Sequence, residues 1–192
     1  MNPRWKQRPP GANWGDFGHD DELGRLNFLT PEKVRQGVAE VREGIAFGLS
    51  LPLDYPGGNK LNPRRHPPQL SPTLRMGKPN MNFPLYKENG HSTDVVCDDQ
   101  VLLTLQYSTQ WDALAHMGSL FDADGDGKPE MVFYNGYRAG EHLIGPDEGG
   151  PRAAALGIEN MAATAVQGRG VMVNLHAIHG REHVRIGYDE LL

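Results

Sequence analysis

The spacing of apolar residues near the start of the chain predicts an amphipathic helix. The apolar positions that recur at helical intervals are Val34, Val38 and Val41. Thr30 is a good N-cap and Pro31 suits the first helical position, while Gly44 is a typical residue just beyond a helix end. We therefore predict a helix over residues 31–43.

Other stretches have the composition of strands, being rich in β-branched, aliphatic and aromatic residues. These predicted strands cover residues 45–53, 94–97, 101–110 and 171–175. A short second helix is predicted over 158–166. The stretch 54–92 is dense in proline and is predicted to be irregular, either as a binding loop or lid or as a plain solvated loop. This mixed order favours a mixed α/β fold with a central sheet.

Composition places the chain among globular proteins and excludes some partners. Its 192 residues suit a single domain over 1–192, and 38% of them are hydrophobic against 22% charged. A net charge of −5 with scattered Lys and Arg argues against a nucleic-acid partner. Cys97 is the single cysteine, and we find no apolar run long enough to span a membrane. A soluble cytoplasmic protein is therefore expected.

Polar residues at even intervals suggest a ligand site within the segment that begins at Gln106. If 101–110 is a strand that continues to Asp112, then Gln106, Gln110 and Asp112 share one face. Gln110 and Asp112 would lie roughly 6–7 Å apart along it, within reach of one cation. His116 would lie roughly 33 Å from Gln106 on a straight strand, so the chain must bend near 113–115 to bring it in. The alternative is a solvated strand followed by an ordinary histidine.

The same segment resembles a known signature. Thr109, Asp112 and His116 match, at the required spacing, the pattern His-x-Gly-Thr-His-x-Asp-x-Pro-x-His of the cyclase family, which includes kynurenine formamidases, isatin hydrolase-like enzymes and lactone hydrolases. The resemblance extends along the chain. Further segments that resemble the family are 14–16, 21–27, 30–32, 133–136 and 169–171.

The resemblance implies a fold, an activity and a set of roles. The family has a swivelling β/β/α-type fold and hydrolyses amide or lactone bonds of small molecules with a divalent metal. By this resemblance Asp112, Gln110 and Gln106 hold the metal, which is manganese or zinc. His116 acts as general base and then as general acid. The residues that suit an aromatic substrate pocket are Trp14, Phe17 and Tyr134, although each suits a protein core equally well.

The chain departs from the family pattern in two ways. Gln106 and Gln110 replace signature histidines, and Leu114 and Ser108 replace the signature Pro and Gly, which is typical of a variant subgroup. A neutral amide oxygen is a weaker ligand than imidazole and favours manganese or magnesium over tight zinc binding. The alternative is a non-catalytic relative that binds small molecules without metal. Family members also continue further, so we expect an incomplete C-terminal part, whose exposed edges favour a homodimer.

Two further clusters suggest ion sites more weakly. Asp122, Asp124 and Asp126 match the first half of a calcium-binding loop, yet its twelfth position is Phe133. We favour a plain Asp/Gly turn there over a calcium-stabilised module. The histidines near the end do not follow a zinc-binding pattern, and we favour a polar loop. These histidines are His176, His179 and His183.

Overall fold

A computed structural model of the chain describes residues 4–59, 62–182 and 184–187. The chain divides into two compact units. Residues before Ile45 and after Gly118 form the first unit, and Ile45–Gly118 forms the second. Each unit contains short helices and short strands, which confirms the predicted mixture of α and β elements. The single domain over 1–192 stays a prediction.

All paired strands in the described part of the chain are antiparallel and short. The α-helices are α1 (Pro31–Ala39), α2 (Tyr86–Asn89), α3 (Ile158–Thr164) and α4 (Leu175–His179). The strands are β1 (Gln69–Pro72), β2 (Leu74–Arg75), β3 (Lys78–Pro79), β4 (Phe83–Pro84), β5 (Val95–Val96), β6 (Asp99–Leu102), β7 (Ser119–Phe121), β8 (Glu130–Val132), β9 (Leu143–Ile144) and β10 (Arg152–Ala153). They pair as β1–β6, β2–β3, β4–β5, β7–β8 and β9–β10. Short 3-10 helices cover Gly24–Phe28, Tyr134–Gly136 and Pro146–Glu148.

The first helix begins as its sequence predicts and ends earlier. The Thr30 hydroxyl accepts a hydrogen bond from the Lys33 N–H at 3.4 Å, as an N-cap does. The helix stops at Ala39, so the predicted last turn does not form. Val38 is 60% exposed and Val41 is 68% exposed. No core contact supports another turn, and packing supplies most of the stability of such helices.

A glycine within α1 allows a close approach of two backbones. A Cβ atom at Gly37 would lie 2.6 Å from the carbonyl carbon of Gly168 and 3.0 Å from the Arg169 nitrogen. Only a residue without a side chain fits there. Just beyond the helix, Glu40 pairs with Arg169 at 3.5 Å on the surface.

Two of the predicted strands are wrong. Residues 45–53 are exposed and irregular, and the stretch 170–174 is irregular before α4 begins. Val171 and Met172 are each 81% exposed. A strand needs a neighbour for its N–H and C=O groups, and neither stretch pairs with any described strand. The predicted central sheet is therefore also absent from the described residues.

Two other predicted elements form, and one predicted irregular stretch contains short elements instead. The strand predicted over 94–97 appears as β5 and the helix over 158–166 as α3, each slightly shorter. The stretch 54–92 holds four short strands and α2 rather than one irregular loop.

No helix in the described residues is both long enough and apolar enough to cross a membrane.

The first unit contains most of the buried apolar residues. Its buried hydrophobic residues are Trp14, Ala123, Val132, Tyr134, Tyr137, Ala155, Leu156 and Met161. In the described part of the second unit, the buried hydrophobic residues are Phe83 and Tyr107, accompanied by the buried polar residue Asn80.

A buried asparagine joins distant segments of the first unit. Asn135 is fully buried and adopts a left-handed backbone conformation with φ of 54°. Its Oδ1 accepts a hydrogen bond from the Gly15 N–H at 2.7 Å. Its Nδ2 donates to the carbonyl oxygens of Gly18 at 3.1 Å and Asp21 at 2.9 Å. One side chain therefore fixes the loop that precedes the first 3-10 helix.

Candidate functional site

The segment that carries the signature is a loop rather than a strand. Strand β6 ends at Leu102, and the following residues form turns and bends. The prediction of a strand over 101–110 is therefore wrong beyond Leu102. Without a strand, the period of two no longer places Gln106, Gln110 and Asp112 on one face. Their role as metal ligands stays a prediction.

Two hydroxyl side chains tie this loop to the segment that precedes it by more than fifty positions. The Ser108 hydroxyl donates to the Pro52 carbonyl oxygen at 2.7 Å. The Thr109 hydroxyl accepts from the Leu51 N–H at 2.9 Å. Thr109, which matches the signature, is thus a positioning residue in this structure. Adjacent residues face the same segment, whereas alternation in a strand would send them to opposite sides.

The two preceding residues are also held from a distance. Tyr107 is buried, and its hydroxyl donates to the Gly58 carbonyl oxygen at 2.8 Å. The Arg65 guanidinium donates to the Gln106 carbonyl oxygen at 2.8 Å. Each residue from Gln106 to Thr109 therefore makes one long-range hydrogen bond, which fixes the shape of the loop.

The chain bends at the predicted place. The His116 N–H donates to the Ala113 carbonyl oxygen at 2.9 Å and closes a turn centred on Leu114 and Ala115. Asp112 directly precedes this turn and His116 ends it. The turn therefore reverses the chain between the carboxylate and the imidazole, which confirms the predicted bend.

The two signature side chains make no bonds within the described residues. Asp112 is exposed and His116 is half-buried, and neither side chain has a hydrogen-bond or ion-pair partner there. No ion pair within 4.0 Å joins one to the other. The exposed Gln110 side chain is similarly without a partner among the described residues. Carboxylate, imidazole and amide oxygen are ligand types that suit manganese or zinc, and these atoms are available to a metal.

Two of the predicted substrate-binding residues pack against other aromatic rings in the first unit. Trp14 makes edge-to-face contacts with Trp5 and Phe121, with ring centroids 6.0 and 6.3 Å apart. Phe17 is half-buried and packs edge-to-face on Phe28 with centroids 4.9 Å apart. The contacts of Trp14 are those of a core residue, whereas Phe17 packs at the surface on Phe28, which is 58% exposed. The role of both residues in substrate binding stays a prediction.

The third, Tyr134, is buried beside an acidic side chain. Its hydroxyl donates to the Asp21 carboxylate at 2.8 Å. Burial raises the pKa of the Tyr134 hydroxyl well above its ordinary value, and the hydrogen bond to Asp21 adds to this. Tyr134 is therefore a neutral hydrogen-bond donor in this structure, and its role towards substrate stays a prediction.

Segments that resemble the family in sequence hold one another in place. Asp21 and Glu22 lie in one such segment, while Tyr134 and Asn135 lie in another. Besides the bonds of Tyr134 and Asn135, the Glu22 carboxylate accepts from the Leu156 N–H at 2.5 Å and from the Asn160 amide at 2.6 Å. The roles of Glu22 and Asn135 in holding these segments together are not predicted by the sequence patterns above. The signal for Asn135 is the Asn-Gly pair, which favours a left-handed turn.

The acidic loop forms the expected Asp/Gly turn. Asp122 accepts hydrogen bonds from the N–H groups of Gly125 at 2.7 Å and Gly127 at 2.9 Å. Asp124 lies 3.6 Å from the Arg138 guanidinium. The ligand atoms of Asp122, Asp124 and Asp126 lie within 4.8 Å of one another, the one such group of His, Cys, Asp or Glu among the described residues. Backbone N–H groups and an arginine already offset part of this charge.

Two of the three histidines near the end of the chain lie in a short helix, and the third lies outside the described residues. His176 and His179 lie in α4, which begins with Asn174 as its cap. The Asn174 side chain accepts from the Ala177 N–H at 3.0 Å. The loop predicted there is therefore replaced in part by a short helix, and His183 lies outside the described residues.

Comparisons with known proteins show a similarity to a solved structure. No family model matches the chain, and no curated relative matches it. A solved crystal structure of a novel cyclase is similar, with a TM-score of 0.55 and 31% sequence identity. The match covers 78% of this chain and 43% of that one, so the chain spans less than half the length of that structure. At this identity the similarity supports a relationship between this chain and the cyclase family.

Proposed function

We propose that this chain is a metal-dependent hydrolase of the cyclase family that cleaves an amide or lactone bond of a small, aromatic substrate. The observation that carries the proposal is the pair Asp112 and His116, placed at signature spacing on either side of a closed turn and free of partners among the described residues. The similarity to a solved cyclase supports it. We extend the proposal to the swivelling β/β/α-type fold and to the variant subgroup with glutamines in the signature.

Asp112 supplies the negative charge that a divalent metal requires, and Gln110 and Gln106 add amide oxygens. The metal is manganese or zinc; when bound, it would supply charge that polarises the scissile carbonyl and makes a water more acidic. The loop is suited to this role because Ser108 and Thr109, which lie between the two glutamines, are tied to residues 51–52. A positioned loop reduces the cost of bringing ligands together.

His116 moves the proton in this proposal. Its imidazole takes a proton from the attacking water as the water oxygen bonds to the carbonyl carbon. It then returns that proton to the departing nitrogen or oxygen as the C–N or C–O bond breaks. Imidazole is the side chain that most often transfers protons in this way. The half-buried position of His116 leaves it reachable by a small substrate.

Two substitutions test these roles with a panel of N-formyl aryl amides and aryl lactones and added manganese or zinc. Asp112→Ala should remove the bound metal and the activity together. His116→Ala should keep the metal and lower kcat by about 10²–10⁴-fold. Matched controls in the same unit are Asp99→Ala and His91→Ala, which alter exposed residues and should change neither metal content nor kcat.

Unchanged turnover in both signature variants would overturn the assignment of these residues. Stoichiometric binding of an aromatic ligand by the unmodified chain, without metal and without turnover, would instead favour a non-catalytic relative. Metal content, measured by atomic emission, and turnover are read separately, so the two outcomes are distinguishable.

A further inference from the structure

One half-buried arginine differs from the other half-buried arginines of the described chain. Three of them pair with carboxylates at 2.9–3.1 Å; these pairs are Arg4 with Asp20, Arg75 with Glu88 and Arg138 with Glu130. Arg65 has no carboxylate within 4.0 Å among the described residues. The one hydrogen bond that its guanidinium makes there goes to the Gln106 carbonyl oxygen. A guanidinium has five N–H donors, so most of its donor capacity is unused.

Arg65 lines a small cavity within the second unit. The cavity has a volume of about 60 Å³, and its lining residues are Pro56, Gly58, Asn62, Arg65, Gln106 and Tyr107. None of these residues is acidic. Two hydrogen bonds cross its wall, from Tyr107 to Gly58 and from Arg65 to Gln106. The cavity is therefore a positively charged pocket with fixed walls.

The side chains that line the pocket offer mainly N–H donors. The Gln106 amide makes no hydrogen bond among the described residues, and the Asn62 Oδ1 accepts from the Arg64 N–H at 3.0 Å, which leaves the Asn62 NH₂ group available. The pocket therefore combines the positive charge of Arg65, which has no carboxylate partner among the described residues, with N–H donors on Gln106 and Asn62. The complementary ligand is a singly charged anion with two acceptor oxygens.

We propose that this pocket binds the carboxylate group of a small molecule, with Arg65 as the charge partner. Guanidinium and carboxylate form paired hydrogen bonds of matching geometry. The volume selects the size of the bound group, since one water needs about 10–15 Å³ of such space. A carboxylate fits within 60 Å³. This binding needs no metal and no hydrolysis; because the pocket shares Gln106 with the proposed metal site, it is tested in the metal-free chain.

The test is a titration of the metal-free full chain with acetate, followed by the side-chain ¹⁵N resonances of Arg65 and Gln106 in NMR spectra. Acetate should shift both resonances in a saturable way, and the neutral analogue acetamide should not. Arg65→Gln should weaken acetate binding by about tenfold or more. The matched control is Arg64→Gln, which removes the same charge from an exposed neighbouring side chain and should leave the affinity unchanged.

Several results would overturn the proposal. These are no saturable shift with acetate, equal weakening by Arg64→Gln, or equal binding of acetamide. Inorganic phosphate that binds as tightly as acetate would indicate a general anion site instead. If Arg65→Gln does not fold, Arg65→Lys is used as the test variant, because lysine keeps the charge and lacks the paired N–H donors of the planar guanidinium. A threefold or greater loss of acetate affinity is expected for it, and unchanged affinity contradicts the proposal.

Discussion

The two units of this chain are stabilised in different ways. The first buries aromatic and aliphatic side chains around Leu156 and adds a buried polar network centred on Asn135. The described part of the second unit buries few apolar residues and relies on hydrogen bonds between side chains and distant backbone groups. Burying one large aliphatic side chain contributes about 1.5–3 kcal/mol, whereas a typical hydrogen bond contributes about 0.5–1.5 kcal/mol. Truncating an apolar side chain should therefore lower the free energy of unfolding more in the first unit than in the second.

The largest effect is expected from truncation in the first core. Leu156 is fully buried, and Leu156→Ala leaves a cavity that should lower the free energy of unfolding by about 2–5 kcal/mol. Leu102→Ala is the matched control in the second unit, where the side chain is 72% exposed, and should cost about 0.5 kcal/mol or less. Urea unfolding followed by circular dichroism measures both. Equal losses would remove the distinction between the units.

A smaller difference is expected from two asparagines of similar backbone conformation. Asn135 and Asn82 have φ of 54° and 53°, but Asn135 is fully buried and Asn82 is exposed. Asn135→Ala leaves the Gly15 N–H and the Asp21 carbonyl oxygen without their partner, removes one of the two bonds to the Gly18 carbonyl oxygen, and should cost about 2–3 kcal/mol. Asn82→Ala should cost about 1 kcal/mol, because alanine is disfavoured in the left-handed conformation.

Because the backbone conformation is shared by the two asparagines, strain contributes similarly to both substitutions. The difference between their urea unfolding curves therefore reports the buried network around Asn135, less the single exposed contact of the Asn82 side chain with the Cys97 thiol at 3.4 Å. If the two variants lose the same stability, the network around Asn135 contributes nothing beyond its backbone conformation.

The smallest effect is a dependence on pH within the first unit. The Ala123 N–H holds the pKa of Glu130 below its ordinary value of 4.5, and Arg138 adds to this against the cost of desolvation. A lowered folded-state pKa stabilises the fold above about pH 4.5, and this contribution is lost as pH falls through the folded-state value. Glu130→Gln should therefore lower the free energy of unfolding at pH 7. The difference in this free energy between the variant and the unmodified chain should become smaller towards pH 3. A deficit that stays constant with pH would contradict this sign.

Features with local causes could be predicted from the sequence. The start of α1 depends on Thr30 and Pro31, which act on their own helix. The bend before His116 also has a local cause, the hydrogen bond from its N–H to the Ala113 carbonyl oxygen, although the strand from which the bend was inferred ends at Leu102. Both predictions needed only neighbouring residues and the fixed geometry of the backbone.

Features with distant causes could not be predicted. An apolar run such as 171–175 becomes a strand only with a partner strand, and its composition does not show whether one exists. Its last two residues already carried the opposite signal, since Asn174 is a good helix cap. In the candidate site, Thr109 bonds to Leu51, fifty-eight positions away, and no pattern along the chain indicates that contact.

The contact between α1 and Gly168 has a consequence for attempts to engineer this protein. In a solvent-exposed helix interior, alanine is favoured over glycine by about 1 kcal/mol, so a redesign guided by helix propensity would replace Gly37. Here the added methyl group would meet main-chain atoms only 2.6 Å away. The replacement would force the two segments apart. Position 37 can therefore be optimised only together with the path of the chain around Gly168, and homologous sequences that carry a larger residue there should reroute that crossing.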